Sequence, residues 1–269
     1  MSLIISTGRL HKVMKRFLSL IVFILVTMIS VQTAAQPAES LASLFRGEVD
    51  SFRTEKGTNI DIYSIKHGSV AMCIGGKWVC ADPVDKGAEP EVDYTVLPKA
   101  DYILVTHDHG DHFDKSVVET LSGSSTQVIA NPAVTKALGY GRTMSNGDAL
   151  DTAEGWKIEA VAAYNNTEGK LGFHPQGRDN GYVITVDGFR IYIAGDTEVI
   201  PELSQIKDID VAFLPCNLPY TMTPEQCSEA ARTVAPKVLF PYHYGETDLR
   251  RLEELLSGSG IEVRIRLYK

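Results

Sequence analysis

The sequence predicts an α+β fold in which two β-sheets pack face to face with helices on the outside. Short apolar strand signals recur through both halves of the chain, and each half also carries segments with helix-start chemistry. No linker or low-complexity tract separates the halves, so residues 36–269 read as a single domain.

The first 35 residues are of a different kind. Lys12, Lys15 and Arg16 precede an uncharged apolar run from Phe17 to Val31, and Thr33-Ala34-Ala35-Gln36 follows. A basic start, a short apolar stretch and small residues describe a secretory signal peptide; the run is shorter than the roughly 20 residues of a spanning helix. The expected location is therefore periplasmic or secreted, with membrane contact only if the segment stays uncleaved. Met14-Lys15-Arg16-Phe17 reads more like a natural beginning than Met1, which puts residues 1–13 upstream of the expected start. Residues 1–35 hold four basic residues and no acidic one, so the remainder carries 22 Lys+Arg against 34 Asp+Glu, a net charge of -12. That balance, without a basic run, argues against nucleic acid as a partner and leaves a small-molecule substrate as the expected one.

In chain order, residues 36–55 form a polar lead-in with a weak helical period. Strand signals follow at Ile60–Ile65, Val70–Ile74 and Lys77–Ala81, the last two joined by the turn residues Gly75-Gly76. Tyr102–Val105 is a fully apolar strand, and Asp114 is placed to cap a helix through Val117, Val118 and Leu121. A strand at Gln127–Ala130, a helix at Pro132–Leu138 and a strand at Lys157–Ala163 complete the first half. Tyr182–Val186 and Phe189–Ala194 flank Asp187-Gly188, a strong hairpin signal. After the strand Val211–Leu214, Thr223-Pro224-Glu225-Gln226 supplies an N-cap, a proline at the first helical position and a capping-box Gln, predicting a helix to about Val234. Val238–Pro241, a helix over 247–256 and a strand over 263–267 end the chain.

Cys73, Cys80, Cys216 and Cys227 do not form a disulfide framework. In the Gly75-Gly76 hairpin register, Cys73 faces Trp78 and Cys80 faces Ala71, which leaves the two thiols about 7 Å apart on a diagonal. They read as small buried hydrophobes.

The densest chemical signal is Thr106-His107-Asp108-His109-Gly110-Asp111-His112-Phe113-Asp114, directly after the Tyr102–Val105 strand. Imidazole and carboxylate are the donors that bind zinc and similar divalent ions, and such a cluster repels itself unless a cation fills it. His174 lies in a Gly-rich loop, Asp196 closes a strand in Ala194-Gly195-Asp196-Thr197, and His243 follows another in Pro241-Tyr242-His243. Donor residues thus recur at strand ends, where sheets project side chains into one crevice.

These motifs resemble the metallo-β-lactamase-fold hydrolase superfamily, whose H-x-H-x-D-H signature is matched by His107-Asp108-His109-Gly110-Asp111-His112. Within it the chain is similar to the branch of ascorbate-6-phosphate lactonase, through His174-Pro175-Gln176-Gly177, Gly195-Asp196-Thr197, Tyr220-Thr221-Met222-Thr223-Pro224-Glu225 and His243-Tyr244-Gly245. The segments Gln176–Asn180 and Cys216–Leu218 depart from that branch's pattern, and both are expected to face the substrate. The resemblance implies a four-layer αββα sandwich with a dinuclear centre at one edge. His107, His109 and His174 would bind one divalent ion, Asp111, His112 and His243 the other, and Asp196 would bridge them. Zinc is the implied metal, with manganese or iron as alternatives. A hydroxide shared by the two ions would attack a small ester, lactone or phosphoester. Asp111 and Asp196 are the expected catalytic carboxylates, and Asp82 would orient a ligand histidine. Tyr164, Arg178 and Tyr220 are the expected substrate contacts. His67 matches a histidine that members often carry near the first hairpin and reads equally as a satisfied core imidazole. Two alternatives stay open: a phosphodiesterase acting on lipid or nucleotide, and a non-catalytic metal-binding module on the same fold.

Overall fold

The computed structural model describes residues 48–85 and 91–268, which lie within one compact unit; the expected signal segment falls outside them. Strands β1 (Asp50–Arg53), β2 (Asn59–Lys66), β3 (Ser69–Ile74), β4 (Lys77–Ala81), β5 (Tyr102–Val105), β6 (Gln127–Ala130) and β7 (Arg142–Thr143) form one seven-stranded sheet in that order. Strands β8 (Ala149–Asp151), β9 (Lys157–Ala163), β10 (Asp179–Val186), β11 (Phe189–Ile193), β12 (Val211–Pro215), β13 (Val238–Tyr242) and β14 (Glu262–Val263) form the second, in the reverse order. Helices α1 (Lys115–Leu121), α2 (Pro132–Leu138), α3 (Pro224–Val234) and α4 (Arg250–Leu256), with short 3-10 turns at Tyr94–Val96 and Pro201–Gln205, complete the described elements. No described helix is long and apolar enough to cross a membrane.

Alternation along the strands creates the layers. In β5, Tyr102 and Leu104 join the core between the sheets, whereas Ile103 and Val105 join a second cluster with Val117, Val118 and Leu121 of α1 and Val134 and Leu138 of α2. In β3 the same period sends Val70, Met72 and Ile74 inward and Ala71 outward. On the other side, Cys227, Ala230, Ala231 and Val234 of α3 and Leu252 and Leu256 of α4 pack with Phe213 and Phe240 of the second sheet. The result is the expected αββα sandwich. The β3–β4 register pairs Cys73 with Trp78 and Cys80 with Ala71, and all four cysteines are free thiols.

Short strands β7 and β8 lie outside the sequence expectation, β10 begins at Asp179 rather than Tyr182, and three further stretches depart for identifiable reasons. Part of the lead-in is β1, whose Asp50 is buried and bound by Arg264 and Arg266 across more than two hundred residues. That tertiary pairing overrides a weak local period. For the same reason the last strand stops at Val263: the tail turns its arginines toward Asp50 rather than continuing β14. Helix α4 begins at Arg250 instead of 247, after a turn closed by Thr247 N–H on the Tyr244 carbonyl.

The pairings β4–β5–β6–β7 and β11–β12–β13–β14 are all parallel. Their carboxyl ends therefore gather, and the residues that follow β4, β5, β11 and β13 form the candidate site.

Candidate metal centre

Each donor is delivered by a strand end or by a loop pinned to one. β5 runs into Thr106 and His107, β11 into Gly195 and Asp196, and β13 into His243. Gly195 has φ +65, and a Cβ there would lie 2.9 Å from the Asn180 carbonyl oxygen and 3.1 Å from Thr106 Cβ. Only glycine fits such a close, left-handed turn. Asn180 N–H donates to the Thr106 carbonyl, tying the two sheets together beside His107.

The fold brings all seven sequence-predicted donors together. The ligand atoms of His107, His109 and His174 lie within 4.8 Å of one another; so do those of His67, Asp111, His112 and His243, and those of His107, His112 and Asp196. Asp196 stands between the sets. Its Oδ1 is 3.2 Å from His112 Nε2, and its Oδ2 is 3.3 Å from His174 Nε2, 3.3 Å from His243 Nε2 and 4.0 Å from His107 Nε2. None of the seven lines the cavity of about 480 Å³ bordered by Asn146, Glu159, Gln176, Arg190 and Glu202, so the donors lie apart from that hollow.

Polar neighbours aim the rings. Asp82 accepts the Thr106 N–H and Oγ1–H, each at 2.7 Å, and its Oδ2 lies 2.8 Å from His112 Nδ1. Since the single Thr106 hydroxyl proton goes to Asp82, the His107 Nδ1 2.9 Å away must be the donor, which leaves His107 Nε2 with a lone pair facing inward. His174 Nδ1 is held 2.6 Å from Asn165 Oδ1, and Asn165 Nδ2 donates to the Tyr220 carbonyl. Carbonyl or carboxylate partners on the outer nitrogen are the arrangement metal-binding imidazoles use. The inward atoms His107 Nε2, His112 Nε2, His243 Nε2 and Asp196 Oδ1 are buried without a hydrogen-bond partner among the described residues. Buried polar atoms are rarely left so, and a convergent group of them suits a divalent cation.

Electrostatics agree with that fit. Burial pushes the His107 imidazole well below its ordinary value, helped by the neighbouring His112, so it stays neutral and able to coordinate. His109 is lowered by burial, His174 and Arg178. For His112 burial acts downward, but Asp196 and Asp82 outweigh it and raise the imidazole well above 6.5. Burial would raise Asp196; His243 and His112 overcome it and hold the carboxylate well below its usual range. Asp111 is likewise lowered, its burial outweighed by the nearby His243 imidazole and by the hydrogen bond from His67.

The expected substrate contacts divide. Tyr220 is exposed on the loop after β12, its ring 5.1 Å from Phe173. Arg178 binds Asp179 and the Phe173 carbonyl and reaches His109 Nε2 at 3.4 Å, which places it at the rim. Tyr164 corrects the expectation: its side chain is buried in the core and its hydroxyl donates to Glu202. Sequence reasoning missed Thr106 and Asn165, whose roles depend on three-dimensional reach. It also missed buried Glu198, which accepts the N–H groups of Asn166 and Thr167 and fixes the start of the loop carrying His174. His67 belongs to the donor cluster rather than to the core, and its place in a tight His-Gly turn was the available signal.

Residues 61–243 match the family model described as the beta-lactamase superfamily domain. The chain is 32% identical over 193 residues to a UPF0173 metal-dependent hydrolase of Thermus thermophilus, covering 69% of this chain and 84% of that protein. A UPF0173 metal-dependent hydrolase of Thermococcus kodakarensis is 32% identical over 186 residues, with 66% and 82% covered. Among solved structures, one from Parabacteroides distasonis assigned to the metal-dependent hydrolases shares 49% identity with a TM-score of 0.80, covering 82% of this chain and 99% of that one. Igni18, a metallo hydrolase of Ignicoccus hospitalis, shares the fold at 23% identity and a TM-score of 0.66, with 77% and 95% covered. These likenesses do not single out the lactonase branch.

Proposed function

The chain belongs to the β-lactamase superfamily, among its UPF0173 metal-dependent hydrolases, and from that premise we propose an exported hydrolase that cleaves a small ester, lactone or phosphoester at a centre of two divalent ions. The observation that carries this reading is the position of Asp196, with an oxygen within 3.2–4.0 Å of four imidazole Nε2 atoms drawn from both donor sets. A carboxylate so flanked suits a bridging ligand; His107, His109 and His174 would hold one ion, and Asp111, His112 and His243 the other. The donor set of imidazoles and carboxylates favours zinc. When bound, the pair supplies Lewis-acid polarisation and activation of water.

The remaining roles fall to the chain's own residues. Asp82, Thr106 and Asn165 keep the inward nitrogens of His112, His107 and His174 pointed at the centre. The Asp111 carboxylate, 41% exposed and held ionised, is the group positioned to accept a hydrogen bond from attacking water and orient it. Tyr220, Leu171 and Leu218 are exposed apolar side chains on the two loops that meet at Asn165. They favour an uncharged ester or lactone over a charged phosphodiester. Export rests on the basic and apolar pattern of residues 12–36.

The test is a panel of lactones, esters, β-lactams and phosphodiesters offered to purified mature protein and to His107→Ala. Hydrolysis of at least one substrate should fall by about 100-fold or more in the variant, the scale of losing a group acting in the transition state. Equal rates for the two proteins on every accepted substrate would end the proposal.

A further inference from the structure

His67 is held more tightly than a core imidazole requires. Its backbone sits at φ 48, in the left-handed region that non-glycine residues avoid. Two hydrogen bonds fix it there: its N–H donates to the Tyr268 carbonyl at 2.5 Å, and its own carbonyl accepts the His243 N–H at 3.0 Å. The adjoining Gly68 lets the turn lie against the donor cluster, since a Cβ there would come within 2.6 Å of His112 Cε1. The His67 ring packs 3.8 Å from the His243 ring, centroid to centroid. Its Nε2 ends 3.0 Å from Asp111 Oδ2. Asp111 needs such a partner: its side chain is 41% exposed, so water competes for it, and its contact with His243 Nε2 is longer, at 3.6 Å.

We propose that His67 is a positioning residue for the Asp111 subsite: its Nε2–H donates to Asp111 Oδ2 and fixes the carboxylate facing His112 and His243. Strain at φ 48 is then the consequence of reaching Asp111 from a turn that also carries the His243 backbone. Hydrogen-bonded partners of metal-binding groups typically contribute about 10–100-fold in metal affinity. The inference rests on the two-ion reading above.

The experiment is chelator competition on the full mature protein, with metal content counted for wild type, His67→Asn, His67→Gly and His67→Gln. Asparagine and glycine tolerate the left-handed backbone but cannot reach Asp111, whereas the glutamine amide can place a donor near the position of Nε2. One of the two ions should be lost about 10–100-fold more readily from H67N and H67G, the other should stay within a few-fold of wild type, and H67Q should recover most of the loss. Unchanged affinity for both ions in H67N and H67G would overturn the assignment. So would equal weakening of both ions, which marks general loosening, or an H67Q as defective as H67N. A wild-type protein that binds no metal would instead overturn the two-ion reading.

Discussion

At the scale of single residues, the centre depends on pairs that split the titration of neighbouring histidines. His107 is driven down by burial and is neutral at pH 7; His112 is driven up by Asp196 and Asp82 and keeps a proton in the absence of a cation. The two have opposite consequences. The raised His112 stabilises the metal-free fold below pH 6.5, and that contribution fades as pH rises through its higher folded value. The lowered His107 makes the metal-free fold lose stability below pH 6.5, where the unfolded chain gains a proton the folded one refuses. Metal must displace the His112 proton, so affinity should rise with pH above 6.5 until that proton is gone, and uptake should release protons to the buffer. Asp82→Asn removes one of the two carboxylates that raise His112 and should move this rise to lower pH, as read by calorimetric metal titration in buffers of different ionisation enthalpy. A profile flat with pH in the native protein would contradict the assignment. Much of this was legible in the sequence. The run from His107 to His112 is contiguous, and Asp82 at a strand end reads as a partner for a ligand histidine. The direction in which Tyr164 points was not legible, because a tyrosine after a strand serves a core and a pocket equally well.

At the scale of elements, local chemistry and tertiary pairing contributed unequally. Helix α3 follows directly from Thr223-Pro224-Glu225-Gln226: the Thr223 side chain accepts the Gln226 N–H, and the Gln226 side chain accepts the Thr223 N–H. Thr223→Ala should cost about 1 kcal/mol of unfolding free energy, by the usual worth of an N-cap. The reading is a shift in urea midpoint without a change in slope. No shift would mean that the helix is held by its apolar face alone. The helix backs β12 and the loop bearing Tyr220, so the same measurement on metal-loaded protein separates scaffold from site. Strands β2 to β6 announce themselves by apolar alternation or by continuous apolar runs. β1, β7 and β8 do not, since each is short and its pairing is decided by neighbours distant in sequence.

At the scale of the whole molecule, two parallel runs of strands bring their carboxyl ends to one edge, and that convergence is what turns scattered motifs into a centre. The C-terminal tail closes the assembly: Arg264 and Arg266 bind Asp50 on β1, and the Tyr268 carbonyl holds the N–H of His67. A metal-binding edge is thus tied to both ends of the described chain. The resemblance of the H-x-H-x-D-H run supplied the architecture from sequence, but not the link from tail to His67, since no local pattern encodes a contact across two hundred residues. The central claim is that five imidazoles and two carboxylates enclose a pair of divalent ions. Elemental analysis of purified, buffer-exchanged mature protein tests it most directly: two ions per wild-type chain are expected, and clearly fewer in Asp196→Ala. Trace metal in the wild type, or an Asp196→Ala variant that retains two ions, would contradict the account.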